Sequence, residues 1–507
     1  MTVVKRNIIA NYFGQLWTGL MAIAFLPVYI DYLGVEAYGL IGLFVVLQTL
    51  LVLLDAGMTP TLNREMARFK AGAHSGQSIW QLLRTLEIMC LAIASVIFLA
   101  LWNMSGYLAN SWLNVDKLPI QIVEQSIGIM ALIIAMRFCE GIYRGALFGL
   151  EKQVWYNVVN SILATLRYGG AIIVLEFISP SINSFFLWQL IVSLVITIAF
   201  SMKVHATLPK KNSNVRFSYT SFLGVWKFAG GMMAVTLLAM MFFQTDKILV
   251  SKFLSLEDFG YYSLAATAAG IIFMIVVPVT QAIYPKLVGY VTNENDAEII
   301  SLYHKMSQLV TILSAPVSLL LFFYATGVVF LWSGNLDLAS NTGPILSVLA
   351  IGFFISGLSS LPYQVQVAHG RIRFLVLIHV IIVPILVFIA ITVLQTKGLT
   401  GVAWAWVLVN ALYLASSVIY MHQALMRSEF MRWFFADILL PIMGTVAVYL
   451  LSFYFKPDNY FDRLDWFVFL AMSLVVSVIV SALSSAYVRN ELIAYFNKKP
   501  LKRPLQG

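Results

Sequence analysis

The chain has 507 residues, 60% of them hydrophobic and only 11% charged, with a formal net charge of +9. A soluble domain carries about 25% charged residues, so the composition excludes one and calls for a protein embedded in lipid. Two cysteines, both inside apolar runs, and six scattered histidines without an HExxH or comparable cluster give neither a disulfide framework nor a metal site.

The N-terminal MTVVKRNII places Lys5 and Arg6 before an apolar run that reaches Ile30. That run is too long for a cleaved signal peptide and reads as a first, uncleaved spanning helix. Repeated apolar runs of about 20 residues follow, the length a helix needs to cross the hydrocarbon. No alternating ten-residue segments of a barrel accompany them. Fourteen spans are expected, at 8–30, 39–58, 86–108, 123–148, 155–178, 183–203, 222–250, 259–285, 308–331, 344–368, 374–395, 400–424, 434–455 and 465–487. With the N-terminus inside, the cytoplasmic segments hold 22 basic residues and the outer loops 5. That asymmetry supports both the span count and cytoplasmic termini. It also assigns the excess positive charge to topology, not to nucleic acid.

Five basic residues remain within the spans: Arg137, Arg144, Arg167, Lys227 and Lys247. In the fourth span, Arg137, Glu140 and Arg144 are spaced i, i+3 and i+7, which puts them on one helical face. A central arginine in lipid costs roughly 2.5–3.5 kcal/mol even on lenient insertion scales. The face must therefore point into protein or a water-filled cavity. Arg167 lies roughly 18 Å into the fifth span, out of easy reach of either interface. Anion binding by Arg137 and Arg167 competes with a static ion pair or carbonyl cap. Glu140 is the local counter-ion, with a holding role favoured over proton coupling. Arg144 and Lys227 lie near the cytoplasmic face, where snorkelling explains them as well as a ligand does. Lys247 neighbours Asp246, but adjacent residues face different sides of a helix. Asp55 ends the second span beside Gly57 and reads as a helix-terminal or gating contact.

The chain repeats itself at an offset of 221: YLGVEAYGLIGL (32–43) aligns with FLSLEDFGYYSL (253–264), sharing Glu36/Glu257 and Gly39/Gly260. Six spans per repeat implies parallel halves with a site between them. The expected domains are an N-lobe (1–220), a C-lobe (221–430), and a last helix pair with a basic tail (431–507). Prolines punctuate many spans, and the charged segment 291–306 reads as a separate cytoplasmic amphipathic helix.

LLDAGMTPTLNREMAR (53–68), TDKILVSKFLSLEDFGYYSLA (245–265) and YPKL (284–287) resemble the polysaccharide-transporter family. Its members include O-antigen and lipid-linked oligosaccharide flippases of the multidrug/oligosaccharidyl-lipid/polysaccharide exporter superfamily. The resemblance implies an all-α polytopic membrane protein with two six-helix lobes around a V-shaped cavity, alternating access and no covalent chemistry. It further implies a bacterial inner-membrane location. The substrate implied is an undecaprenyl-pyrophosphate-linked oligosaccharide, flipped to the periplasmic leaflet. Partners would be the bilayer and the polymerase or chain-length proteins of the same pathway. No cofactor is expected, and coupling to H+ or Na+ is left open. A cation-coupled multidrug antiporter is disfavoured because the spans carry few acids. A membrane glycosyltransferase or polymerase is disfavoured because no outer loop is long enough for acid/base work.

Overall fold

Hydrocarbon offers the backbone no hydrogen-bond partner, so apolar runs of this length close their own N–H and C=O groups as helix. The computed structural model describes residues 3–55, 57–209, 218, 237–238, 240–457 and 463–490. Every regular element among them is helical, one isolated bridge between Asn114 and Ser255 aside.

The first six expected spans correspond to α1 (Val3–Ala24) with α2 (Leu26–Leu33), α3 (Val35–Leu54), α5 (Gly76–Tyr107), α6 (Ile120–Gly149), α7 (Gln153–Phe177) and α8 (Ile182–Thr207). A short polar helix, α4 (Met58–Lys70), lies between α3 and α5. The seventh span falls largely outside the described residues, which resume as α9 (240–253). Then come α10 (Leu256–Ala269), α11 (Ile271–Thr292), α12 (Asp296–Ser333), α13 (Leu336–Leu358), α14 (Ser360–Ala368) and α15 (Ile372–Ala424). The chain ends in α16 (Phe430–Arg432), a wide π-helical stretch (Trp433–Leu439), α17 (Leu440–Ser452) and α18 (Arg463–Ser484). Residues 491–507, the basic tail, lie outside the described residues.

Among the described residues, eleven helical stretches are long and apolar enough to cross a membrane. One of them is two spans: the 53 residues of α15 would reach about 80 Å, against a hydrocarbon core of about 30 Å. Gly398, at φ 57° and ψ −142°, breaks α15 where the two expected spans meet. With the shorter α3 and with α9, the fold is an all-α membrane protein of about fourteen helices. Side chains such as Leu99, Ile162, Ile173, Phe388, Leu451 and Met472 stand outward. That is a surface water would not tolerate and acyl chains cover.

Two boundaries differ from the sequence reading. α5 begins at Gly76, where the Ser75 hydroxyl accepts the N–H of Ser78 at 3.1 Å, because its first turns bury Ile79 and Leu83 under a polar outer face. The charged connector 291–306 is not a separate helix. The chain turns at 293–295, Asn295 caps the N–H of Glu298 at 3.3 Å, and the polar turns run straight into the apolar part of α12.

The chain divides into two compact units, Met1–Ser263 and Leu264–Gly507, with the division inside α10. The lobe boundary expected at 220/221 lies outside the described residues. In the first unit the two copies of the repeated motif meet reciprocally. A Cβ on Gly39 would lie 2.3 Å from the Leu256 carbonyl oxygen, and one on Gly260 would lie 2.4 Å from that of Val35. Val35 and Leu256 are themselves equivalent at the 221-residue offset, so this local contact is isologous, as across a two-fold axis. In the second unit a row of small polar side chains, Ser307, Thr311, Ser314 and Ser318, is buried along α12. Thr311, Ser314 and Ser318 return their hydroxyl protons to carbonyls four residues back, so these three hydroxyls stay satisfied inside the bundle. Tyr449 of α17 donates to the Pro316 carbonyl at 2.7 Å, and Trp466 of α18 packs over Gly327, fixing the last helix pair to α12.

Candidate functional site

Within the first unit, α6 carries Arg137 at mid-helix, and three neighbours close around its guanidinium. Nη1 donates to Gln48 Oε1 of α3 at 2.7 Å, Nη2 to Gln189 Oε1 of α8 at 3.3 Å, and Nε to Ser193 Oγ of α8 at 3.5 Å. The Phe44 ring lies 5.0 Å away on the cation–π side. Every one of these partners is uncharged. They hold the guanidinium in place and satisfy its donors, but they leave its positive charge uncancelled.

Arg167 of α7 is tied to the same wall. Gln189 Nε2 donates to the Arg167 carbonyl at 3.4 Å while its Oε1 receives Arg137, so one amide joins the two arginines. The Arg167 side chain is 14% exposed, and its Nη2 stands 4.0 Å from Glu140 Oε2. That separation is too long for a hydrogen bond. Its Nε and Nη2 are buried without a hydrogen-bond partner. Leaving a charged donor unsatisfied costs about 1–3 kcal/mol or more, so this guanidinium is short of oxygen acceptors.

Glu140 therefore faces Arg167 across the helix gap. It forms no ion pair with Arg137 or Arg144, the partners that helical spacing placed beside it. Two guanidinium groups and one carboxylate leave the cluster with one net positive charge. Arg144, a further turn along α6, is exposed. Asp55 is a helix-start cap: its Oδ1 accepts from Thr59 Oγ1 at 2.7 Å and from the Thr59 N–H at 3.2 Å, opening α4. Asp246 is buried and takes the Tyr262 hydroxyl at 2.7 Å on Oδ2, while its Oδ1 has no partner. Lys247, half-buried beside it, forms no ion pair among the described residues. Lys227 lies outside the described residues.

Sequence reasoning missed Gln48, Gln189 and Ser193. The available signal was a pair of long amides inside apolar runs, at the depth where the arginines need acceptors. It also passed over the two thiols, Cys90 and Cys139, which meet at 3.3 Å between α5 and α6.

The chain matches, over residues 32–336, the model of a family described as polysaccharide biosynthesis protein. It is 24% identical over 422 residues to a Shigella flexneri protein named as an O-antigen transporter, covering 82% of this chain and 97% of that protein. Its fold is similar to that of the lipid II flippase MurJ in an inward closed conformation, with a TM-score of 0.70 at 14% identity, covering 96% of this chain and 99% of that one. It is also similar to a multidrug resistance MATE family transporter of the MOP superfamily in an inward-facing conformation. There the TM-score is 0.63 at 13% identity, over 85% and 99% of the two chains.

Proposed function

The chain belongs to the polysaccharide biosynthesis protein family, and from that premise we propose that it is a flippase for an undecaprenyl-pyrophosphate-linked oligosaccharide. The lipid tail stays in the bilayer while the charged, hydrated head, which cannot cross hydrocarbon unaided, moves through the protein to the periplasmic leaflet. The lobes expected from the sequence alternate access to that head, and no covalent chemistry is involved. Direction comes from differential binding of the head in the two states.

The observation that carries this reading is the Arg167 guanidinium, buried with two nitrogens unsatisfied and joined through Gln189 to an Arg137 with only neutral partners. A pyrophosphate supplies the missing oxygens, and a guanidinium fork matches them in pairs. Glu140 holds Arg167 without saturating it. Arg144, one turn along the same helix face, and Lys247 are further contacts for the anionic head. A cation-coupled antiporter, the reading that the MATE-like fold keeps open, needs an acidic wall. This cluster is cationic.

The test is leaflet translocation of a fluorescent polyprenyl-pyrophosphate sugar in proteoliposomes. Arg137→Ala and Arg167→Ala insert normally and lose translocation. Wild-type rates in either variant contradict the proposal.

A further inference from the structure

A second polar cluster lies in the other unit, and nothing in the transport reading uses it. His304 of α12 is buried, with a carboxylate on each ring nitrogen. Nδ1 meets Asp437 Oδ2, and Nε2 meets Glu429 Oε2 at 2.9 Å. Asp437 sits in the π-helical stretch before α17 and is fully buried; Glu429 immediately precedes α16 and keeps 23% of its side chain exposed. Wide turns of this kind recur at functional positions because they redirect one side chain out of helical register.

Hydrogen-bond polarity can be assigned across this cluster. The backbone N–H of Tyr487 donates to Gln308 Oε1 at 2.8 Å, and the Ser485 hydroxyl donates there too. That fixes the amide: Gln308 Nε2 is the end that donates to Asp437 Oδ1, at 2.7 Å. Asp437 is thus an acceptor on Oδ1, and its Oδ2 meets His304 Nδ1; a hydrogen bond at each ring nitrogen needs a proton in each contact. An imidazole that donates from Nδ1 carries a proton on Nε2 only as imidazolium. The two ring contacts therefore hold together one proton more than a neutral imidazole and two carboxylates supply, whichever atoms carry it.

We propose that His304 and Glu429 bind one exchangeable proton, and that this proton fastens the 425–439 segment, and with it the last helix pair, to α12. When it leaves, two lone pairs face each other at 2.9 Å and the contact becomes repulsive. Asp437 stays joined to Nδ1–H and Gln308, so release starts at the Glu429 end. Access is at the same end, where Glu429 is the partly exposed member of the cluster and its chain neighbours Ser428 and Phe430 line a pocket of about 390 Å³.

Other titratable groups stand around the ring. Tyr303 packs beside it at 5.6 Å between centroids, and His422 of α15 packs on Tyr303 at 5.7 Å. His422 Nδ1 is held on the Val418 carbonyl at 2.9 Å. Arg432 Nη1 stands 3.7 Å from Glu429 Oε2. Lys305 lies over the Tyr487 ring at 4.5 Å, and Arg427 lines the pocket. Among the described residues no set of His, Cys, Asp and Glu is arranged to hold a metal.

The experiment is amide hydrogen exchange of residues 428–440 in the full-length protein in nanodiscs at pH 6 and pH 9, corrected for intrinsic rates. In the wild type, protection falls by about tenfold or more at pH 9. Glu429→Gln supplies a permanent N–H to neutral Nε2 and stays protected at both values. His304→Leu exchanges fast at both. Wild-type protection that does not change with pH overturns the proposal, and so does an E429Q profile that follows the wild type. If His304→Leu does not fold, the wild type and E429Q decide alone.

Discussion

The two polar clusters solve the problem of buried charge in opposite ways. In the first unit, Arg137 is surrounded by neutral oxygens and Arg167 keeps two buried nitrogens without partners. In the second, His304 has a carboxylate on each nitrogen, and Asp437 is satisfied on both oxygens. A charge left short of partners is a standing cost of folding unless something else meets it. A saturated one closes on itself and joins helices. On the proposed reading the first cluster is a place for a ligand and the second a fastening.

The largest effect expected from this contrast is in the first cluster. Arg167→Ala and Arg137→Ala abolish translocation, while thermal unfolding of purified Arg167→Ala moves little, because the group it removes is the under-satisfied one. If unfolding shifts as much as transport does, the two clusters are alike and the comparison fails.

Gln48→Glu sharpens it further. The carboxylate replaces the amide oxygen 2.7 Å from Arg137 Nη1, cancelling the charge without removing volume. Translocation falls about tenfold or more, equivalent to roughly 1.4 kcal/mol, with insertion and unfolding unchanged. The conservative Gln48→Asn, measured in the same assay, retains most of the activity.

The reverse holds in the second cluster. His304→Leu leaves the buried Asp437 carboxylate uncompensated and destabilises the unit by about 3–5 kcal/mol, the usual result of breaking one side of a buried ion pair. Denaturant unfolding in detergent measures it. Translocation by the protein that remains folded is reduced far less than in Arg167→Ala.

How much of this was legible in the sequence follows from what each feature depends on. Span positions depend on apolar length, which is local, and Gly398 fell where the two expected spans met because only a residue free to take φ 57° turns there. Helical spacing placed Arg137, Glu140 and Arg144 on one face but could not name the neighbouring helix. Glu140 therefore faces Arg167 of α7, and the acceptors for Arg137 are amides from α3 and α8. The second cluster was invisible for the same reason in stronger form: His304 and Asp437 are 133 residues apart. The charged segment 291–306 looked like a separate helix because composition changes sharply there, whereas the backbone turns at 293–295, capped by Asn295.

The smallest expected effect belongs to a carboxylate with intermediate surroundings. Glu65 of α4 is buried, which pushes its carboxyl up, but His74 at 2.6 Å, Arg64 at 2.7 Å and Arg68 at 3.2 Å outweigh burial and hold it below its ordinary value of 4.5. The stabilisation is complete above that ordinary value and is lost as pH falls through the lower folded one. Because the three cations are partly exposed, it is below about 1 kcal/mol. Hydrogen exchange of residues 66–76 accelerates slightly under pH 4.5, and Glu65→Gln shows the faster exchange already at pH 7. A large effect there would place this carboxylate with the fastening of the second cluster.

Binding of an undecaprenyl pyrophosphate to the purified protein in nanodiscs, compared with an uncharged polyprenol, addresses the first cluster directly. The wild type binds the pyrophosphate more tightly, by tenfold or more, which is about 1.4 kcal/mol, and Arg167→Ala and Gln48→Glu each lose that preference. Equal affinity for the two lipids in the wild type, or an undiminished preference in both variants, would contradict the assignment of the arginine pair to an anionic ligand.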